Sequence, residues 1–429
     1  MKSNTLLFTG MLMFFCFQSF SQFTIQSEFR PRFEYRDGYK SLRDSNTKPA
    51  AFVSQRTRLI FGYKSDKINA RINFQDVRTW GEEKLKADIA ATAIHEAWFS
   101  FKLLDSLSLK LGRQEFVYDN ERLFSNNNWA QAGTSHDAAL LQFKSNSWSV
   151  DLGVAFNQQS DSNLFGTDYT RVDVRSNYKS LNFIWLTKKF KTFSISGLGV
   201  ADGYQKATGD KKTNFRYTYG PVINYKTKNL GIDARGFMQS GKTQDGKEIS
   251  AYFSNMDISY LVFNKLTLQA GFEYWSGYDF SDSTSTKYNA FDVLYGTGHR
   301  FNGNMDYITR PGDTKNAGLV DGYLFLIFKH SAKLSSRLDY HYFALSNNYA
   351  KNKGKDPIDK YLGSELDFSV KFDFAKDISL NFGYSAMFAT TSMEVIKADT
   401  KKGISGGMSS KYPSWAFVML TVKPIFFKN

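Results

Sequence analysis

One cysteine, Cys16, stands in a chain of 429 residues, so neither a disulfide framework nor a cysteine-ligated metal site can be built from it. Proline is scarce, at 7. No stretch after the N-terminal segment approaches the roughly 18 consecutive apolar residues that a membrane-spanning helix needs, which excludes a helical membrane protein. Acids are in deficit, with 41 Asp+Glu against 55 Lys+Arg and a formal net charge of +14. What is abundant is aromatic. Forty Phe, 24 Tyr and 7 Trp bring aromatics to 17% of the chain, which excludes intrinsic disorder, while mean hydropathy stays at -0.41. This length suits two or three soluble domains or one large β-domain.

The first residues read as an export signal. Lys2 precedes an apolar run from Leu6 to Phe17, and Ser19 and Ser21 supply small residues before Gln22. That is the pattern of a secretory signal peptide, residues 1–21, cut after Ser21. The run is too short to span a bilayer and lacks the spacing of an amphipathic helix. Phe15 is too bulky for lipoprotein processing before Cys16. Residues 22–429 then form one exported domain.

Period-2 alternation dominates that domain. Phe23, Ile25, Phe29, Phe33 and Tyr35 alternate with Thr24, Gln26, Glu28, Arg30, Arg32, Glu34 and Arg36. The same pattern sets Ile68, Ala70, Ile72 and Phe74 against Asn69, Arg71, Asn73 and Gln75. It returns around Leu266–Tyr274 and Leu366–Phe372. A soluble sandwich would bury the apolar face, whereas a membrane barrel turns it to lipid and leaves water inside. The links separate these readings. Eighteen strands are expected, near 23–36, 52–63, 68–78, 93–103, 106–116, 136–144, 147–156, 180–188, 191–200, 215–226, 229–239, 250–261, 266–275, 320–330, 333–344, 361–373, 377–387 and 415–427. Eight tight links, around Asp66, Asp105, Asn146, Lys189, Thr227, Asn264, Ser331 and Lys376, alternate with nine long ones. The expected fold is therefore all-β: a transmembrane antiparallel up-and-down barrel with short periplasmic turns and long extracellular loops. Tyr63, Trp148, Trp185, Phe190, Phe193, Tyr225, Phe263, Phe372 and Phe374 are placed as interfacial girdles.

Several motifs fail on their physics. Gly236-Phe-Met-Gln-Ser-Gly241-Lys242-Thr243 satisfies the phosphate-loop spacing, but an alternating strand precedes it and turn residues, not a helix, follow. His95-Glu96 has Phe99 where a zinc protease needs a second histidine. His136/Asp137 and Asp339/His341 are the pairs an outer-membrane hydrolase would have to use, and the bland reading as lumen or loop hydrogen-bonders is preferred. Asp279 and Asp282 lack calcium-ligand spacing. No catalytic residue, metal or cofactor is assigned, and nucleic acid is not expected as a partner.

Basic residues on the water-facing parity carry the functional signal. Arg30, Arg32, Arg56, Arg58, Arg71 and Arg235 are placed in the lumen as a substrate conduit, since guanidinium recognises carboxylate bidentately. Glu28, Glu34, Glu96, Glu273, Glu365 and Asp367 are the acids expected to share that lumen. Arg113 follows Leu107, Leu109 and Leu111 on the wrong parity, so it needs a bulge or a position above the membrane.

Several segments then resemble the alginate-export porin family of Gram-negative outer membranes. They are Gln55-Arg56-Thr57-Arg58-Leu59, Leu111-Gly112-Arg113-Gln114, Tyr118-Asp119-Asn120-Glu121-Arg122-Leu123, Trp129-x-Gln131-x-Gly133-Thr134, Gly298-His299-Arg300-Phe301 and Leu362-Gly363-Ser364-Glu365-Leu366-Asp367. The resemblance implies a monomeric 18-stranded barrel with an arginine-rich conduit for a polyuronate, and it makes Arg56, Arg58 and Arg113 conduit residues. The expectation is an outer-membrane channel in contact with lipid that passes an anionic saccharide, alginate-type, without catalysis. A general anion or phosphate porin and a barrel hydrolase are the alternatives. Substrate identity, direction, gating and periplasmic partners stay open.

Overall fold

The computed structural model describes residues 21–43, 47–86, 89, 91–158, 178–205, 212–281, 286–351, 356–398 and 412–429. The expected signal peptide, apart from Ser21, lies outside them. Eighteen strands follow one another in the chain. The first nine are β1 (Gln22–Asp37), β2 (Ala50–Lys64), β3 (Ile68–Thr79), β4 (Thr92–Leu104), β5 (Leu107–Gln114), β6 (His136–Lys144), β7 (Trp148–Phe156), β8 (Ser180–Lys189) and β9 (Phe193–Gln205). The second nine are β10 (Thr213–Lys226), β11 (Leu230–Gly241), β12 (Ala251–Val262), β13 (Leu266–Trp275), β14 (Leu319–Lys329), β15 (Leu334–Ala344), β16 (Tyr361–Ala375), β17 (Ile378–Ala389) and β18 (Ser414–Val422, continued by Ile425–Lys428).

Each strand pairs antiparallel with its neighbours in the chain, and β1 pairs with β18 to close the sheet, Phe33 opposite Val418. Closure leaves no strand edge in the hydrocarbon, where unpaired backbone groups would each cost several kcal/mol, order-of-magnitude ~1–7. Alternation places the side chains as the sequence pattern requires. Along β1, Glu28, Arg30, Arg32 and Glu34 are buried inside, whereas Phe29, Phe33 and Tyr35 are exposed on the outer wall.

All eight tight links are turns at one end of the barrel. Four share a device: a hydroxyl at the turn's first residue accepts the backbone N–H three residues on. The pairs are Ser65–Ile68 (3.2 Å), Ser145–Trp148 (3.2 Å), Thr227–Leu230 (3.0 Å) and Ser331–Leu334 (3.1 Å). Such local side-chain bonds favour a turn over a continuing strand.

Two sequence expectations change. The last strand is interrupted at Lys423-Pro424, because proline has no N–H to give the ladder. Ser27 N donates to the Pro424 carbonyl instead, at 3.1 Å, and the register with β1 slips between Ile25 and Gln26. Trp185 is no girdle residue. It shares the inward parity of Phe183 and Thr187, donates Nε1 to Asp119 at 3.1 Å and packs 5.1 Å from the Tyr118 ring. The other girdle aromatics, such as Tyr63, Trp148, Phe190 and Phe372, are exposed on the outer wall.

The apolar core lies inside the barrel and is built largely by two loops folded inward. Phe116, Leu123 and Phe124 come from the β5–β6 loop, and Phe291, Tyr295, Met305 and Tyr307 from the β13–β14 loop. A short helix, α1 (Thr391–Lys397), is capped by the Thr390 hydroxyl on Met393 N and buries Met393 and Ile396 against the same interior.

In a Cys16→Ser background, a membrane-impermeant maleimide should label Leu85→Cys, on the exposed β3–β4 loop, in intact cells. Asp66→Cys, in a tight turn, should react only after permeabilisation. Labelling in the opposite order would invert the barrel.

Candidate functional site

The lumen narrows where the β5–β6 loop (115–135) meets the β13–β14 loop (276–318). Their backbones pair directly: Tyr295 N donates to the Leu123 carbonyl at 3.0 Å and Ser125 N to the Tyr295 carbonyl at 3.2 Å. Phe124 stacks on Tyr295 at 5.5 Å, and Trp129 stacks on His299 at 4.0 Å. Arg300 bridges to Glu121 at 2.8 Å.

The arginines of β1 and β2 face this assembly. Arg30 donates to Gln131 Oε1 (3.1 and 2.9 Å) and to the Asn128 carbonyl (2.7 Å). Arg32 donates to the Trp129 carbonyl at 2.9 Å and lies 4.2 Å over the Trp129 ring. Arg56 joins Glu28 (2.5 Å) to Asn128 Oδ1 (2.7 Å). Arg58 donates to Gln75 at 3.0 Å, and Gln75 in turn donates to the Ala132 carbonyl at 2.9 Å. Loop carbonyls have no ladder partner, and a guanidinium offers five donors to satisfy them.

The wall of β13–β16 is acidic and answers backbone N–H groups. Glu365 accepts from Met305 N at 2.7 Å and Asp367 from Asn304 N at 3.2 Å. Gly303 between these loop residues and Asn302 has a φ of +81°, and a Cβ there would stand 2.6 Å from the Glu365 carboxylate, so the close approach requires glycine. Glu273 accepts from Arg122, which crosses from the other loop, and from Asn302 at 3.0 Å. Burial on its own would push the Asp306 carboxyl up, but His299 at 3.0 Å and Lys40 at 3.6 Å outweigh it and hold the group below the ordinary carboxylate range.

Arg30, Arg32, Arg56 and Arg58 thus come together with Glu28 and Glu34, but buried beneath loop residues 128–132. Glu34 pairs with Arg32 and Arg36 and accepts from Trp415 at 3.0 Å. Arg71 is different. It is 36% exposed while paired with Glu96 at 2.6 Å. Arg235 lies across the barrel on Asn255 and Asp257, in a separate cavity of about 260 Å³. Arg113 does not join the lumen. No bulge interrupts β5 near it, so it keeps the outward parity of Leu111 and pairs with Asp137 at 3.0 Å on the outer wall. His136 faces inward against Phe116, on the opposite strand face from Asp137, so these two form no catalytic pair. Asp282 lies outside the described residues. Lys242 and Thr243 follow the strand residue Gly241 without a helix.

Below the constriction two cavities open toward the tight turns. One, of about 510 Å³, is lined by Trp129, Arg300, Arg337, Asp339, His341 and Lys371 among others. Arg300, Arg337 and Lys371 are 55%, 40% and 54% exposed there, whereas Asp339 is 6% exposed. The second, of about 430 Å³, presents Lys64, Arg71 and Lys110 beside Tyr63 and Trp98, with no carboxylate among its described lining residues. Lys110 Nζ sits 4.0 Å from the Trp98 ring. The sequence reading missed Arg122, Arg337, Lys371 and Lys110 as site residues. Inward parity was the signal that could have found the last three.

A family model described as alginate export matches residues 21–393. No curated protein matches the sequence. Among solved structures, the outer membrane protein OprD from Pseudomonas aeruginosa is similar at 11% identity over 94% of each chain, with a TM-score of 0.61. OccAB4 from Acinetobacter baumannii is 11% identical over 95% of this chain and 99% of its own, TM-score 0.62. OpdL from Pseudomonas aeruginosa is 10% identical over 94% and 99%, TM-score 0.63. These likenesses establish the shared barrel fold.

Arg122 ties the two loops to the acidic wall. Arg122→Met should strand Glu273 as a buried charge, at a cost of about 3–5 kcal/mol. Released from the wall, the loops should give a larger single-channel conductance in a barrel that still migrates as folded. An unchanged conductance would mean that the constriction does not depend on this pair.

Proposed function

The chain belongs to the alginate export family of the Gram-negative outer membrane, and from that premise we propose that it is a passive channel for anionic saccharides of the polyuronate class. The observation that carries the reading is the charge of the two cavities under the constriction. Arg300, Arg337, Lys371 and Arg71 are half-exposed there, while Asp339 and Glu96, the partners of Arg337 and Arg71, are buried. An anion entering there meets forked guanidinium donors able to take a carboxylate in two hydrogen bonds. Trp98 lines the second of these cavities, where its ring can pack against a sugar.

The mechanism needs no bond chemistry. Water-exposed cations lower the electrostatic barrier for a polyanion, and because each is partly solvated and already paired, contacts stay weak enough to release. This moves the conduit from the buried arginines of β1 and β2 to the exposed cations below the loops. Arg71 belongs to both sets.

In planar bilayers the channel should prefer anions, by a margin that shrinks as salt is raised. Oligouronate should block the current. The triple variant Arg71→Gln/Arg337→Gln/Lys371→Gln should weaken that block and the anion preference together. Cation selectivity of the parent channel would overturn the polyanion reading. Equal block by phosphate and oligouronate would assign a general anion channel instead.

A further inference from the structure

Strands β14–β16 concentrate buried carboxylates on one patch of the inner wall. Asp339 stands directly opposite Asp367 across the β15–β16 pairing, and His341 opposite Glu365. With Asp321 on β14, four carboxylates share the patch, all at most 4% exposed. Among the described residues, Arg337 donates Nε to both oxygens of Asp339 at 2.7 and 2.6 Å, and His341 lies against Asp321. Four carboxylates are thus crowded into a water-poor wall, where unpaired charge is strongly disfavoured.

The patch is also arranged in a particular way. One nitrogen of His341 and one oxygen from each of Asp339 and Asp367 lie within 4.8 Å of one another. His341 Nδ1 is 3.0 Å from both oxygens of Asp321, which fixes the ring and the tautomer. Nε2 takes no hydrogen bond among the described residues. Asp367 Oδ1 and Glu365 Oε2 are both buried without a protein donor, the two carboxyl groups lying against each other. A carboxylate that holds one imidazole nitrogen while the other is left free is the support typical of a metal-binding histidine.

We infer that Asp339, His341 and Asp367 form a binding site for one divalent first-row transition ion, such as Zn²⁺ or Mn²⁺, with Asp321 as the positioning residue for His341. The nitrogen donor disfavours Ca²⁺ and Mg²⁺, which prefer all-oxygen shells. Asp339 and His341 also line the cavity of about 510 Å³, so water can reach the ion and complete its coordination. Asp339 keeps lone pairs for the ion while it accepts from Arg337. A bound dication would offset negative charge in the patch, leaving the exposed cations of the cavity less opposed.

The test is calorimetric titration of the chelator-stripped, detergent-solubilised protein with ZnCl₂ and with MnCl₂, alongside metal analysis after dialysis. The expected result is one ion per barrel. His341→Gln and Asp367→Asn should each abolish that binding. Asp321→Asn should weaken it about 10–100-fold, the usual loss when a histidine's supporting carboxylate is removed. Asp373→Asn, which removes an exposed acid outside the cluster, should leave it unchanged. Heat-modifiable migration on gels identifies which variants remain folded, but the wild-type titration decides by itself. If the parent takes up no more Zn²⁺ or Mn²⁺ than the His341→Gln/Asp367→Asn double variant, the site is refuted and protons neutralise the carboxylates.

Discussion

Two long loops enter this barrel with backbone groups that no strand pairs, and the wall charges are placed to receive them. On the basic side, Arg30 and Arg32 donate to the carbonyls of Asn128 and Trp129. On the acidic side, Glu365 and Asp367 accept the N–H groups of Met305 and Asn304. A buried amide or carbonyl left unmade costs about 1–3 kcal/mol, so each of these contacts is worth more as avoided desolvation than as a bond. The division of charge around the lumen thus has a structural cause. Arginine gathers where carbonyls arrive, and carboxylates gather where N–H groups arrive.

The channel follows from that clamp. Charges spent on the loops are buried and unavailable to a solute, whereas cations below the constriction stay half exposed. Arg56, wholly buried between Glu28 and Asn128, differs in this way from Arg71, though both lie on the inward face of neighbouring strands. The proposed preference for anions rests on those half-exposed cations.

The shell was legible because period 2 is a geometric consequence of the strand. Parity alone placed Glu28, Arg30, Arg32 and Glu34 inside and Phe29 and Phe33 outside, and the spacing of the strands marked the short links. Parity also argued against Arg113 in the lumen, and only the family resemblance drew it there. The interior was less legible. Nothing periodic announces that residues 115–135 fold inward, although Phe116, Phe124 and Trp129 are costly to leave in water and could have raised the question. Trp185 was misplaced for a related reason: an aromatic near a strand end suits a girdle, but its own parity, shared with Phe183, turns it inward. Contacts between residues far apart in the chain, such as Arg122 with Glu273, leave no local signature.

The central claim is that wall charges hold the two loops as firmly as strands. Native-state amide hydrogen exchange, read residue by residue, tests it most directly. Met305 N, Asn304 N and the paired amides Ser125 and Tyr295 should exchange as slowly as amides in β15 and β16, and in Glu365→Gln the protection at Met305 should fall first. If those loop amides exchange as fast as the exposed β3–β4 loop in the parent protein, the loops are not clamped and the account of the constriction is wrong.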